Sequence, residues 1–138
     1  MQRVVFTNGC FDIIHRGHIE YLEDAKSLGE ILIVGLNSDE SVAGLKGRGR
    51  PINNEEDRAR VLLGLKSVDG VITFKEDTPI ELIKIVKPDV LVKGGDWKVE
   101  DMVGYEFVIE RGGEVFSLPF RKGYSTTDII EKIRVLDE

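Results

Sequence analysis

Five short apolar runs, each followed by a stretch of helical periodicity, set the strongest limit on how this chain folds. The runs are Arg3 to Thr7, Glu30 to Leu36, Gly70 to Phe74, Asp89 to Lys93 and Glu114 to Leu118. Strands that alternate with helices pair in parallel, because each helical crossover returns the chain to the same end of the sheet. Helix starts are marked by Asn54 ahead of Glu55, Glu56 and Asp57, by Thr78 ahead of Pro79, and by Ser125 to Asp128 ahead of Ile129, Ile130 and Ile133. Ile19, Tyr21, Leu22, Ala25 and Leu28 trace a further helical face, and Gly112 with Gly113 reads as a helix stop. No repeat or linker divides the sequence, so one domain is expected over residues 1–138. The longest irregular stretch, Leu45 to Asn53, carries basic residues at 46, 48 and 50 and glycines at 47 and 49, the pattern of a mobile, positively charged loop.

Charge and cysteine content narrow the function. Nineteen Lys and Arg against 25 Asp and Glu leave a net charge of −6, which speaks against nonspecific nucleic-acid or anionic-membrane binding and for a small-molecule partner. Cys10 is the only cysteine, too few for a disulfide framework or a structural zinc site, and the cytoplasm is the expected compartment. No run approaches the ~20 apolar residues that span a bilayer.

Both histidines fall in Thr7-Asn8-Gly9-Cys10-Phe11-Asp12-Ile13-Ile14-His15-Arg16-Gly17-His18, directly after the first strand-like run. That places two imidazoles at a helix entrance, where free N–H groups form an anion site and Gly17 permits a tight turn. In an open α/β sheet, ligands sit outside the carboxyl ends of the strands where the winding reverses. If the first and fourth strands are neighbours there, Asn8 to His18 faces Lys93-Gly94-Gly95-Asp96-Trp97, whose glycines permit close backbone approach to a ligand.

Phosphate-loop, dinucleotide-fingerprint and nucleophile-elbow motifs are all absent. What remains is a set of phosphate-seeking groups. Ser125, Thr126 and Thr127 make either an ordinary helix cap or a hydroxyl-lined phosphate site. Arg121 and Lys122 tip the balance to phosphate, since cations ahead of a helix start are poor partners for its dipole. Lys46 and Arg50, with Arg48, read equally as a solvated loop or as phosphate ligands. Arg58 follows acidic residues, and an intrahelical salt bridge is its plain reading. Asp12 and Asp96 are each open to orienting a histidine, holding a ribose, binding magnesium or shaping a turn; Cys10 is most simply a small buried side chain.

His15-Arg16-Gly17-His18 together with Ser125-Thr126-Thr127 resembles the cytidylyltransferase-like nucleotidyltransferases, whose marks are an H-x-G-H motif and an S-T-T helix entrance. The runs T-N-G-C-F-D-I-I-H-R-G-H, L-K-G-R-G-R-P-I-N, E-D-T-P, D-V-L-V-K-G-G-D-W and G-Y-S-T-T-D-I-I are similar to the adenylyltransferase domains of bacterial ADP-heptose synthases, from about Val4 to Ile133. The resemblance implies transfer of AMP from ATP, with Mg2+, to a heptose 1-phosphate. The expected fold is a Rossmann-like, open, doubly wound five-stranded parallel sheet of order 3-2-1-4-5 with helices on both faces, in a homodimer. Carried onto this sequence, the family's roles make His15, His18 and Lys46 catalytic. They place Gly9, Cys10, Phe11, Asp12, Gly17, Gly94, Asp96, Arg121, Ser125, Thr126 and Thr127 around the nucleotide, with Arg50 and Arg58 either at the acceptor phosphate or anchoring the loop. The metal ligands stay unassigned. Two other functions remain open, a CTP-dependent glycerol-3-phosphate cytidylyltransferase and a nucleotide-binding sensor without turnover. Arg121-Lys122-Gly123-Tyr124, where the glycerol-phosphate enzymes carry R-T-E-G-I, speaks against the first.

Overall fold

A computed structural model describes residues 2–137. Its elements follow in the order β1 (Val4–Gly9), α1 (Arg16–Lys26), β2 (Ile31–Asn37), α2 (Asp39–Lys46), α3 (Glu55–Leu63), β3 (Gly70–Phe74), α4 (Ile80–Val86), β4 (Val90–Gly94), α5 (Tyr105–Glu110), β5 (Glu114–Leu118) and α6 (Thr126–Val135), with a 3-10 turn at Val99–Asp101. The strands form one parallel sheet of order β3-β2-β1-β4-β5, the arrangement expected from the sequence.

Alternation along the strands sorts the core into two layers. Val5, Leu32, Val34, Leu36, Val90 and Val92 point to one face, where they meet Tyr21, Leu22 and Ala25 of α1 and Leu62 of α3. Phe6 and Leu91, the intervening residues, point to the other face against Leu82 and Ile83 of α4 and Val108 of α5. Both faces are therefore covered, as a parallel sheet requires.

Helix starts largely follow the capping signals. Asn54 accepts the Asp57 N–H at 2.8 Å and Ser125 accepts the Asp128 N–H at 3.0 Å. Thr78-Pro79 departs from expectation: Pro79 itself occupies the cap position of α4 and no side chain caps that helix. The irregular stretch also begins later than expected, because α2, capped by Ser38, stays helical through Lys46.

The winding reverses between β1 and its two neighbours. β1 stays in register with β2 from Val4 to Gly9 but with β4 only at Val5 and Phe6. Beyond Phe6 the carboxyl ends of β1 and β4 part, and the crevice expected at a switch point opens there.

Candidate active site

The segment leaving β1 enters α1 through a reciprocal cap built from the two histidines. His15 is the cap residue, and its Nδ1 accepts the Gly17 N–H at 3.1 Å. His18, at the third helical position, accepts the His15 N–H on its own Nδ1 at 3.3 Å. Here imidazoles take the places usually filled by Ser and Glu in a capping box. The two rings stack with centroids 3.8 Å apart, and Phe11 meets His18 edge-on at 5.4 Å.

That geometry fixes the chemistry of both rings. Burial lowers the His15 pKa, and burial followed by the neighbouring His15 pushes His18 down to about 4, so both are neutral at pH 7. A neutral imidazole whose Nδ1 accepts a hydrogen bond carries its proton on Nε2. The pair therefore offers two Nε2–H donors beside the amino terminus of α1, without the cost of burying two cations.

The entrance of α6 packs directly onto this segment. Thr126 Oγ1 donates to the Asp12 carbonyl at 2.5 Å, and the Tyr124 ring lies 6.4 Å from that of His15. A Cβ on Gly17 would come within 2.9 Å of the His15 ring and 3.1 Å of Tyr124 Cβ, so only glycine fits between the two motifs. Of the three hydroxyls, Ser125 is turned into its own helix and Thr126 onto Asp12, while Thr127 is exposed. Arg121 departs from the role read from sequence: its guanidinium is bonded to Glu20 at 2.8 and 3.2 Å, and Arg16 shares that carboxylate. The sequence reading missed Glu20 and Tyr124. Tyr124 was detectable as an aromatic directly before the cap, whereas Glu20 carried no local signal.

The basic stretch closes the other side. Lys46 is exposed at the end of α2, and Arg50 lies with Nε 3.7 Å from Asp12 Oδ2. Cys10 is half-buried. Burial raises its pKa, while Lys46, Arg58 and Arg50, close enough to act on the thiol, pull it back.

Two sequence readings are corrected here. Asp12 neither orients a histidine nor faces a metal: it is 2% exposed, and its carboxylate accepts the backbone N–H groups of Ile52 and Asn53. Arg58, 1% exposed, is neither an intrahelical ion pair nor open to an acceptor; of the roles read for it, loop anchoring is the one it fills. It donates to the carbonyls of Asn53, Cys10 and Asn37 and to Asp39.

On the far side of the crevice, a cleft of about 510 Å3 lies among Gly95, Asp96, Trp97, Ser117, Pro119 and Phe120. Asp96 is exposed there, and Lys93 Nζ sits 4.3 Å from the Trp97 ring centre. Gly94 leaves room for Phe120, whose ring would overlap a Cβ at that position, and Phe120 in turn packs on Tyr21 of α1. Gly9 ends β1 against the Phe11 ring. A hollow of about 520 Å3 bounded by Ile80, Lys84, Met102 and Phe107 contains neither histidine nor the basic loop, so the reacting groups are not there.

A family model described as cytidylyltransferase-like matches residues 6–132. The chain belongs to the cytidylyltransferase-like family. It is thereby a nucleotidyltransferase, and the family's paired motifs are the ones that meet through Thr126 and Asp12. Among its relatives, the bifunctional protein HldE of Haemophilus influenzae (strain PittEE) is 56% identical over 137 residues, 99% of this chain and 29% of the relative. The HldE of a Nitratiruptor species is 57% identical over 133 residues, 96% of this chain and 28% of that protein. This chain thus spans less than a third of the length of the curated relatives it matches. A lipopolysaccharide core biosynthesis protein from Thermoplasma volcanium GSS1 superposes with a TM-score of 0.71 at 33% identity, covering 91% of this chain and all of that one. A pantoate-beta-alanine ligase from Francisella tularensis, at 16% identity and a TM-score of 0.55 over 99% of this chain and 71% of its own, shares the fold. No described helix is long and apolar enough to cross a membrane.

Proposed function

We propose that the chain transfers AMP from ATP to D-glycero-β-D-manno-heptose 1-phosphate, forming ADP-heptose and releasing pyrophosphate. The observation that carries this reading is the stacked His15–His18 pair. Its two Nε2–H donors stand at a helix amino terminus beside an open β1/β4 crevice.

The chemical obstacle is charge. One phosphate must attack another, and at ~4 Å with an effective dielectric of about 20 each pair of unit like charges opposes approach by roughly 4 kcal/mol. His15 and His18 donate to the nucleotide phosphates and stabilise charge that builds on the transferred group and on the departing pyrophosphate. Lys46 adds a cation from the end of α2 on the β2 side of the histidine segment, the amino terminus of α1 adds oriented amides, and the Thr127 hydroxyl is free to donate. The acceptor phosphate is already a nucleophile at neutral pH, so positioning and charge stabilisation suffice without a covalent intermediate. Gly94, Asp96 and the adjoining aromatic cleft line the nucleoside end.

Among the described residues, no three or more His, Cys, Asp or Glu side chains cluster to hold a metal ion, and both oxygens of Asp12 are occupied by amides. Magnesium would enter with ATP and would neutralise phosphate charge there, with no cluster of these side chains needed to hold it. The same reading places a homodimer in the cytoplasm.

The test measures pyrophosphate release with ATP and with CTP, each against heptose 1-phosphate and glycerol 3-phosphate. Turnover confined to ATP with the sugar phosphate is the expected result. A preference for CTP and glycerol 3-phosphate assigns the chain to alcohol-phosphate cytidylyl transfer. Tight ATP binding with no pyrophosphate from any acceptor makes it a sensor.

A further inference from the structure

Phe11 and Ile13 have φ of 45° and 54°, the left-handed region that L side chains rarely occupy. They flank Asp12, and backbone strain of this kind persists only where the surroundings impose it. What it achieves is the inward turn of Asp12. Oδ2 accepts the Ile52 N–H at 2.6 Å, Oδ1 accepts the Asn53 N–H at 3.0 Å, and the peptide carbonyl accepts Thr126 Oγ1. The buried Arg50 Nε, which has no hydrogen-bond partner, faces the same carboxylate at 3.7 Å. One residue thus joins the histidine segment, the basic loop and the α6 entrance.

A Cβ at Gly47 or Gly49 would meet no atom within 4 Å, so the loop is open at those two positions. It starts from the last turn of α2, which ends at the exposed Lys46, and its end is held by the two amides on Asp12 and by Arg58 at the Asn53 carbonyl.

We infer that Asp12 is a positioning residue, clamping the far end of the basic loop so that Lys46 is held beside the segment that carries Cys10, His15 and His18. This rests on the nucleotidyl transfer proposed above. It assigns Asp12 no contact with substrate: its oxygens are already bonded inside the protein, and it acts through Lys46.

Asp12→Asn keeps the shape but exchanges one acceptor for an NH2 group, leaving one clamped N–H without a partner. Its kcat for pyrophosphate release is expected to fall about 100-fold, with the nucleotide KM changed by less than about threefold. Lys46→Ala alone is expected to lose about as much. Added to Asp12→Asn it should cost less than about threefold more, because the two residues act as one unit. Trypsin is expected to cut after Lys46 or Arg48 about tenfold faster in Asp12→Asn than in the wild type. Losses that multiply in the double variant, or an unchanged cleavage rate, overturn the assignment. If Asp12→Asn does not fold, wild-type hydrogen exchange decides: slow exchange at the Ile52 and Asn53 amides supports the clamp, and exchange at open-loop rates rejects it. A wild-type protein that releases no pyrophosphate refutes the transferase reading, while cleavage and exchange still report on the clamp.

Discussion

The Nδ1 of His18 accepts the backbone N–H of His15 at 3.3 Å, so the ring read as a catalyst is also part of the cap that starts α1. Replacement by alanine would disturb both roles together.

Glutamine separates them. At the third helical position its side chain can reach back to the cap amide as histidine does, but it cannot place a donor where Nε2–H stands. His18→Gln is expected to lower kcat by roughly 10²- to 10⁴-fold while changing unfolding free energy by less than ~1 kcal/mol. Paired pyrophosphate assays and urea titrations check this, and near-normal turnover in a folded variant would remove His18 from the mechanism.

The same cap makes stability depend on acid. With the folded pKa of His18 at about 4 and its ordinary value at 6.5, the unfolded chain takes up the proton more readily. Its contribution is therefore complete above about pH 6.5 and lost as pH falls toward 4, where the second proton lands on Nδ1 and meets the His15 N–H head-on. Unfolding free energy is expected to drop on the order of 2 kcal/mol over that interval, and His18→Gln should flatten this part of the curve. Denaturation at stepped pH measures both, and identical slopes for the two proteins would contradict the proton's assignment to His18.

Arg58 should govern stability rather than rate. Its guanidinium ties the carbonyls of Cys10, Asn37 and Asn53 to Asp39, joining the ends of β1 and β2 to the loop before α3. Arg58→Met strands those acceptors in the interior and is expected to cost roughly 3–5 kcal/mol. Arg58→Lys should recover little, because an ammonium cannot reproduce the planar fork. Urea midpoints test the ordering, and a lysine variant as stable as the wild type would show that charge alone suffices.

Gly94→Ala tests the cleft. The new methyl would overlap the Phe120 ring, which is 58% exposed and therefore free to swing away from the cleft. Nucleotide KM is expected to rise about tenfold or more while the melting temperature moves by only a few degrees. Unchanged KM alongside a large loss of stability would place Phe120 in the core instead.

The interactions that set these outcomes differ in how openly the sequence displays them. The sheet was legible because periodicity is local: Val5, Leu32 and Val90 alternate with polar or opposite-face neighbours whatever surrounds them. Asn54 and Ser125 were legible as caps because a cap bonds an amide three residues ahead. Arg58 was not. The acidic residues before it suggested a surface ion pair, and nothing nearby in the chain shows that carbonyls 21 and 48 positions away converge on its guanidinium. Arg121 misled in the same way, since Glu20, its actual partner, lies 101 residues earlier.

By itself, then, the sequence determined the alternating architecture, the caps at Asn54 and Ser125 and the two motifs that mark a nucleotidyltransferase, all of them written in residues a few places apart. Only the tertiary structure decided which charged groups remain free. Asp12 turns inward to the basic loop, Arg58 and Arg121 find internal partners, and the two histidines stay neutral with their outer nitrogens available. The reason is physical: a side chain's charge state and its remaining hydrogen-bonding capacity depend on burial and on partners that chain folding brings in from distant positions.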